Sequence, residues 1–247
     1  QGLYLRKFTG SRTGLALVEF ALSLPLVLTL ALTGAELTNY ITVRMRISQL
    51  ALHLADNAAR VGVGGPREAK KVYESDIYDL MDGAQLQAGE LDLYEQGYVI
   101  VSSLEPMAGA NPNNKARIRW QRCQGDIPYD SPYDDQTENL DGMGPTGRQA
   151  QVQPDGVTMF VQVYYQYEPL VSASLVPGIE ITETASMMVR ERRDTSGSND
   201  GLYPVSGVTP ATCTAPAPTP TPTPTPTNRY RDHAAPGVCH TTHWDGY

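Results

Sequence analysis

The stretch Gly14-Leu-Ala-Leu-Val-Glu19-Phe-Ala-Leu-Ser-Leu-Pro25-Leu-Val-Leu-Thr-Leu-Ala-Leu-Thr-Gly-Ala35 decides how the rest of this chain is organised. From Leu15 to Ala35 it is apolar apart from Glu19, Ser23, Pro25, Thr29, Thr33 and Gly34. As a helix rising about 1.5 Å per residue, the run covers roughly 30 Å, one hydrocarbon core. A membrane-spanning helix is therefore predicted over 15–37. Arg6, Lys7 and Arg12 precede it with no acidic residue before Gly14. The positive-inside rule places that end in the cytoplasm and the bulk of the chain across the membrane. Arg44 and Arg46 follow beyond Glu36 and pull against that orientation.

A secretory signal peptide has the same basic start and apolar core, but a shorter apolar region and a small-residue cleavage site. Here the run is long and passes into a helical spacing of Leu37, Ile41, Met45, Ser48, Leu52, Ala55 and Ala59. One helix from near Leu15 to Arg60 is expected, stopped by Gly62, Gly64, Gly65 and Pro66. Pro25 removes a backbone donor and crowds the carbonyl of Ala21, so a kink is expected there, with Ser23 and Thr29 near enough to cover the freed group.

Glu19 is the anomaly. A carboxylate costs roughly 2.5–3.5 kcal/mol near the centre of a membrane helix and less near an end. Gly14 followed by Leu15-Ala-Leu-Val-Glu19-Phe20 resembles the processing site of type IV pilin-like proteins. The run Val18 to Pro25 is similar to that of the TadE-like minor pseudopilins of the tight-adherence (Flp) pilus system. Two further pieces support that branch: Arg119-Trp-Gln-Arg-Cys-Gln-Gly125 and Tyr165-Gln-Tyr-Glu-Pro-Leu170. The resemblance implies cleavage by prepilin peptidase between Gly14 and Leu15. It also implies a helix packed on a small antiparallel sheet, and assembly with other pilin-like subunits on a pilus platform at the bacterial inner membrane, with Glu19 and Phe20 at the assembly site. The residues are physically consistent with it. Cleavage would give Leu15 an α-amine, charged below about pH 8, one helical turn from Glu19 and on the same face. Either that amine or a neighbouring subunit's would offset the desolvation of the carboxylate. The plainer alternative is a glutamate at headgroup level in a simple anchor.

The chain has 247 residues and a formal charge of −8. It begins with Gln1, so the natural start is expected upstream. The expected organisation is a leader (1–14), the span (15–37), a helix continuation (38–65), a periplasmic α+β domain (66–206) and a disordered Pro/Thr-rich tail (207–247). Acidic balance without a basic, aromatic-studded stripe argues against nucleic-acid binding. Arg67 to Gly89 reads as one or two helices. Strands are expected at Tyr98–Leu104, Lys115–Gln121, Val157–Tyr167 and Ile181–Arg190, as an antiparallel meander. In the second, Ala116, Ile118 and Trp120 should share one face. Cys123, Cys213 and Cys239 allow three pairings. Cys123–Cys213 is the one expected, because it would tie the end of the domain to its sheet.

Asp126, Asp130, Asp134, Asp135, Glu138 and Asp141 lie in a long loop of the kind that attracts calcium, although the spacing is not that of an EF-hand and a solvated loop is the plainer reading. Thr219 to Thr227 alternates strictly with proline and predicts a stiff spacer. His233, Cys239, His240 and His243 follow without ligand spacing. No catalytic motif stands out, His53 reads as a helix-surface residue, and neither an enzyme nor a cofactor is expected. The leading expectation is thus a non-enzymatic minor pseudopilin. The alternatives are an uncleaved single-pass anchor with a periplasmic binding or adhesion domain, and a tethered hydrolase.

Overall fold

The computed structural model describes residues 12–65, 67–111, 113–127, 129–170 and 179–213. The expectations for Arg6 and Lys7, the Pro-Thr run, and the tail histidines and Cys239 lie outside these residues. Helix α1 is unbroken from Arg12 to Arg60. Beyond it come β1 (Lys70–Lys71), α2 (Glu74–Ala88), a short 3₁₀ turn, β2 (Gly97–Pro106), β3 (Ala116–Gln124), β4 (Thr158–Tyr167), β5 (Ile179–Met188) and β6 (Arg193–Asp194). The architecture is α+β: a long helix on a small antiparallel sheet.

Three boundaries differ from the sequence reading. Helix α1 ends at Arg60, as the glycine stop predicts, while the last residues of the 38–65 segment leave the helix and Val63 bridges Lys71. Residues 67–73 are a turn and a short strand, because Lys70–Lys71 pairs with β6 and Tyr73 opens α2 through a capping box with Asp76. Residues 207–213 belong to the domain: the Tyr78 hydroxyl donates to the Thr209 carbonyl, and Ala211 is buried.

The four main strands are antiparallel, in the order β3-β2-β4-β5. That order is not a meander. After β3 the chain runs through the 125–157 loop and returns beside β2. The loop covers the outer edge of β3, where Thr137 and Leu140 carbonyls accept from the Ile118 and Ala116 amides. Edge strands left open invite pairing with other chains.

A bulge changes which residues face inward. Ser103 lies opposite Trp120, but Leu104 lies opposite Ile118, so Arg119 is the extra residue on β3. Side-chain parity flips across it. Trp120 joins the core under the helices with Val99, Val101, Val161 and Val163. Ala116 and Ile118 face the other side, with Leu104, Phe160 and Met143 under the long loop. The expectation that Ala116, Ile118 and Trp120 share a face fails for this reason.

On the helix side, α1 packs across β4 and β5, and α2 lies beside it. The buried face of α1 is Ile47, Leu50, Ala51, Leu54, Ala55 and Ala58. Of the expected stripe, only Ala55 and Ala59 are buried, whereas Leu37, Ile41, Met45 and Leu52 are exposed. At the helix end, Arg193 donates to the carbonyls of Ala58 and Val61 and closes the last turn. Burial lowers its pKa to about 10.

Arg122 and Glu74 form a bidentate ion pair, at 3.0 and 2.5 Å, almost fully out of water. Asn199 donates to the same carboxylate, and Arg122 also donates to the Gln121 carbonyl. Together these bonds pin α2 to β3. The expected disulfide Cys123–Cys213 is present and closes the 195–213 segment over the same strand. Removing one member of a buried pair strands the other, typically at a cost of about 3–5 kcal/mol. Arg122→Met should therefore lose that much in urea denaturation of the full chain in detergent, followed by circular dichroism. Arg122→Met combined with Glu74→Leu should recover most of it. A loss below about 1 kcal/mol for the single variant would mean that the pair is not what pins α2.

Candidate functional site

Two surfaces of α1 meet different surroundings, and the junction between them is built from named side chains. In the N-terminal half none of the described residues covers the helix. Leu17, Phe20, Leu22, Leu26 and Leu30 are all more than 60% exposed. The window identified as long and apolar enough to cross a membrane has a mean hydropathy of 2.0 and none of it is buried. In water such a surface would be costly at roughly 25 cal/mol per Å². It is compatible with a single-pass membrane anchor.

Glu19 and Phe20 lie on this uncovered half, both exposed. Among the described residues Glu19 has no ion-pair or hydrogen-bond partner. Gly14 lies inside α1 with nothing within 4 Å of where a Cβ would sit, and the helix already begins at Arg12. The bond between Gly14 and Leu15 is thus in helical backbone. At Pro25 the helix continues, and the hydroxyls do not cover the Ala21 carbonyl as expected. Ser23 bonds the Phe20 carbonyl and Thr29 the Leu26 carbonyl, each within its own turn.

The junction begins at Glu36, immediately after the apolar run. The Tyr167 hydroxyl donates to Glu36 Oε1 at 2.6 Å, and the Leu170 amide donates to Oε2 at 3.0 Å. Asn39 donates to the same tyrosine oxygen at 2.8 Å, and Tyr40 packs edge-on against the Tyr167 ring. Burial and the hydrogen bond to Glu36 raise the Tyr167 pKa, so the phenol stays protonated and able to donate. One turn on, Arg44 pairs with Glu183 of β5 at 2.9 Å. The sequence reading noticed Glu36 only as a charge ending the span and Tyr167 only as part of a strand. No local signal links positions 131 residues apart.

Above the junction the exposed apolar side chains Leu37, Ile41, Met45 and Leu52 continue along α1, next to its β5 side. On the opposite side an open groove of 540 Å³ lies between α1 and the end of α2. It is lined by Arg46, Gln49, His53, Gln87 and Glu90 over Leu50 and Leu91. The acidic loop is partly built into the domain: the Tyr133 hydroxyl bonds Gly144, and Ser131 donates to Gln162. Among the described residues no group of three or more His, Cys, Asp or Glu side chains is placed to hold a metal ion.

No family model, no curated protein and no solved structure matches this chain.

The junction makes a direct prediction. Tyr167→Phe removes the donor to Glu36 and the acceptor for Asn39, a loss of about 1–2 kcal/mol locally. Amide exchange at Thr38 to Tyr40 should accelerate roughly 5- to 30-fold in the detergent-held full chain. Unchanged exchange there would show that the tyrosine hydroxyl does not hold the junction.

Proposed function

We propose that this protein is a minor pseudopilin-like subunit. It would be anchored in a bacterial inner membrane by α1, cut by prepilin peptidase after Gly14, and packed through that helix against other pilin-like subunits of a tight-adherence pilus. The observation that carries the reading is the exposed apolar side of α1 above the membrane boundary. A simple anchor needs apolar cover only across the lipid. Here Leu37, Ile41, Met45 and Leu52 extend that cover past the Glu36 junction by about 22 Å, at 1.5 Å per residue. A surface of this kind marks a protein contact, and its continuity with the span favours a helical partner. Glu19 adds to the reading, because it is an exposed carboxylate whose natural partner is an α-amine four residues away.

A second reading, an uncleaved anchor carrying a binding domain, draws support from the groove around His53 and Arg46. The mature N-terminus separates the two. Intact mass and N-terminal sequencing of membrane-extracted protein should give a chain beginning at Leu15. Retention of Gln1 to Gly14 in a host with active prepilin peptidase would overturn the pseudopilin reading.

The role of Glu19 has its own test. Glu19→Ala removes the charge from the span, so membrane insertion should be unchanged or improved. Co-isolation of the protein with pilus components should nevertheless be lost. Normal co-isolation and piliation would show that the carboxylate has no part in assembly.

A further inference from the structure

The four-stranded sheet has two edges, and among the described residues only one is covered. At the β3 edge the Thr137 and Leu140 carbonyls accept from the Ile118 and Ala116 amides, and the Ala211 carbonyl accepts from the Cys123 amide. The other edge is β5. It pairs with β4 in an unbroken register, from Ile179 opposite Tyr167 to Met188 opposite Thr158. Among the described residues no backbone group outside β4 bonds to it. Natural proteins blunt such edges with short strands, bulges, proline or lysine. β5 has none of these: it is 10 residues long and holds no Pro, Gly, Lys or Arg.

The helix above this edge also lacks cover. α1 packs across β4 and β5, and no described strand lies beyond β5 for it to rest on. Arg44 pairs with Glu183 of β5, which marks the side of α1 turned to the edge. Ile41 lies three residues before Arg44 and Leu37 seven, so both share that side. Both are exposed. Leu37 and Ile41 stand about 6 Å apart along the helix, at 1.5 Å per residue. Alternate residues of a strand stand about 6.6 Å apart. Two successive apolar residues on one face of an added strand would therefore meet one ledge residue each. On the other face of the sheet the neighbours would be Thr182, Thr184 and Ser186, all exposed. Met45 and Leu52 lie further round α1 and remain available to a helical partner.

We propose that β5 is a docking edge for an extended segment of a different protein, added as a fifth main strand with apolar residues under Leu37 and Ile41 alternating with polar residues beside Thr182 to Ser186. Main-chain bonds supply the affinity, and the alternation supplies the selectivity. A second copy does not fit this edge. Its β3 is covered by its own loop. Its β5 could pair antiparallel only with both α1 helices on one face and running in opposite directions, whereas anchors entering one membrane from the same side run parallel. A parallel β5 pair would put the helices on opposite faces and leave Leu37 and Ile41 uncovered. This exclusion rests on the single-pass anchor, and not on cleavage after Gly14 or on a pilus.

The test uses the full chain in detergent and a labelled peptide in which Val and Thr alternate over about ten residues between terminal lysines, matching the length of β5. Fluorescence polarisation should show saturable binding, and amide exchange should slow at least tenfold in β5 and stay unchanged in β3. Ile41→Lys, which removes the ledge, and Thr184→Lys, which guards the edge, should each weaken binding at least tenfold. Both positions are exposed, and an unchanged circular dichroism spectrum checks that folding is intact. Peptides N-methylated only at the Val amides or only at the Thr amides separate strand addition from a non-specific apolar contact, because amides of alternate residues point to opposite edges. One of the two should bind and the other should not. Absence of saturable binding, equal behaviour of the two methylated peptides, unchanged binding to Ile41→Lys, or protection confined to α1 would overturn the proposal. So would self-association of the wild type in light scattering that Thr184→Lys abolishes, which would assign the edge to a second copy. Cleavage after Gly14 is measured separately, so failure here and failure of the pseudopilin reading are distinguishable.

Discussion

Between Ala35 and Tyr40, α1 passes from a stretch that none of the described residues covers to one packed on the sheet, and Glu36 sits at the crossing. The carboxylate there is half-buried and bonded to the end of β4. Its bonds to the Tyr167 hydroxyl and the Leu170 amide attach the last turn of β4 to the helix where the lipid-compatible run ends. From that point the spacing of Ile47, Leu50, Ala51, Leu54, Ala55 and Ala58 takes over, and small alanines let the helix sit close on β4 and β5. Remove the junction and α1 is still held to the sheet by its buried face from Ile47 to Ala58, but the turn at Glu36 loses its attachment to the end of β4.

The rest of the domain follows from how that helix is covered. It occupies one flank of the sheet, so the other flank needs a second element, and α2 supplies it. Its attachment is ionic as well as apolar: Arg122 and Glu74 are both out of water, each satisfied by the other and by neighbours. A buried pair of this kind contributes little net stability over an apolar substitute, but it penalises misplacement heavily. The disulfide then holds the closing segment over β3, where an open edge would otherwise stand.

Much was legible in the residues. The single long helix, the glycine stop after Arg60 and the positions of the four strands all follow from local pattern. The errors share one origin. Alternation in Lys115 to Gln121 predicts a common face only if the strand is uninterrupted, and the bulge at Arg119 interrupts it. Helical spacing in Leu37 to Ala59 detects an apolar stripe without saying whether lipid, sheet or another helix covers it. Thr209, Ala211 and Cys213 look like the start of a tail, because their partners Tyr78 and Cys123 are distant in sequence.

The sequence alone determined one long helix whose first part is an apolar run long enough to cross a membrane. Hydrophobic length and periodicity are properties of consecutive residues, and they act before any tertiary contact forms. It also determined the sorting of charge along the chain, with acids between Lys71 and Lys115 and cations on either side. Only the tertiary structure decided which side of α1 is buried, which way Trp120 points, and that Glu36 meets Tyr167. It also decided that Lys70 stands opposite Arg193 across β1 and β6. Each of these depends on register between segments far apart in the chain, and register is set by the packing of the whole sheet, which no local pattern encodes.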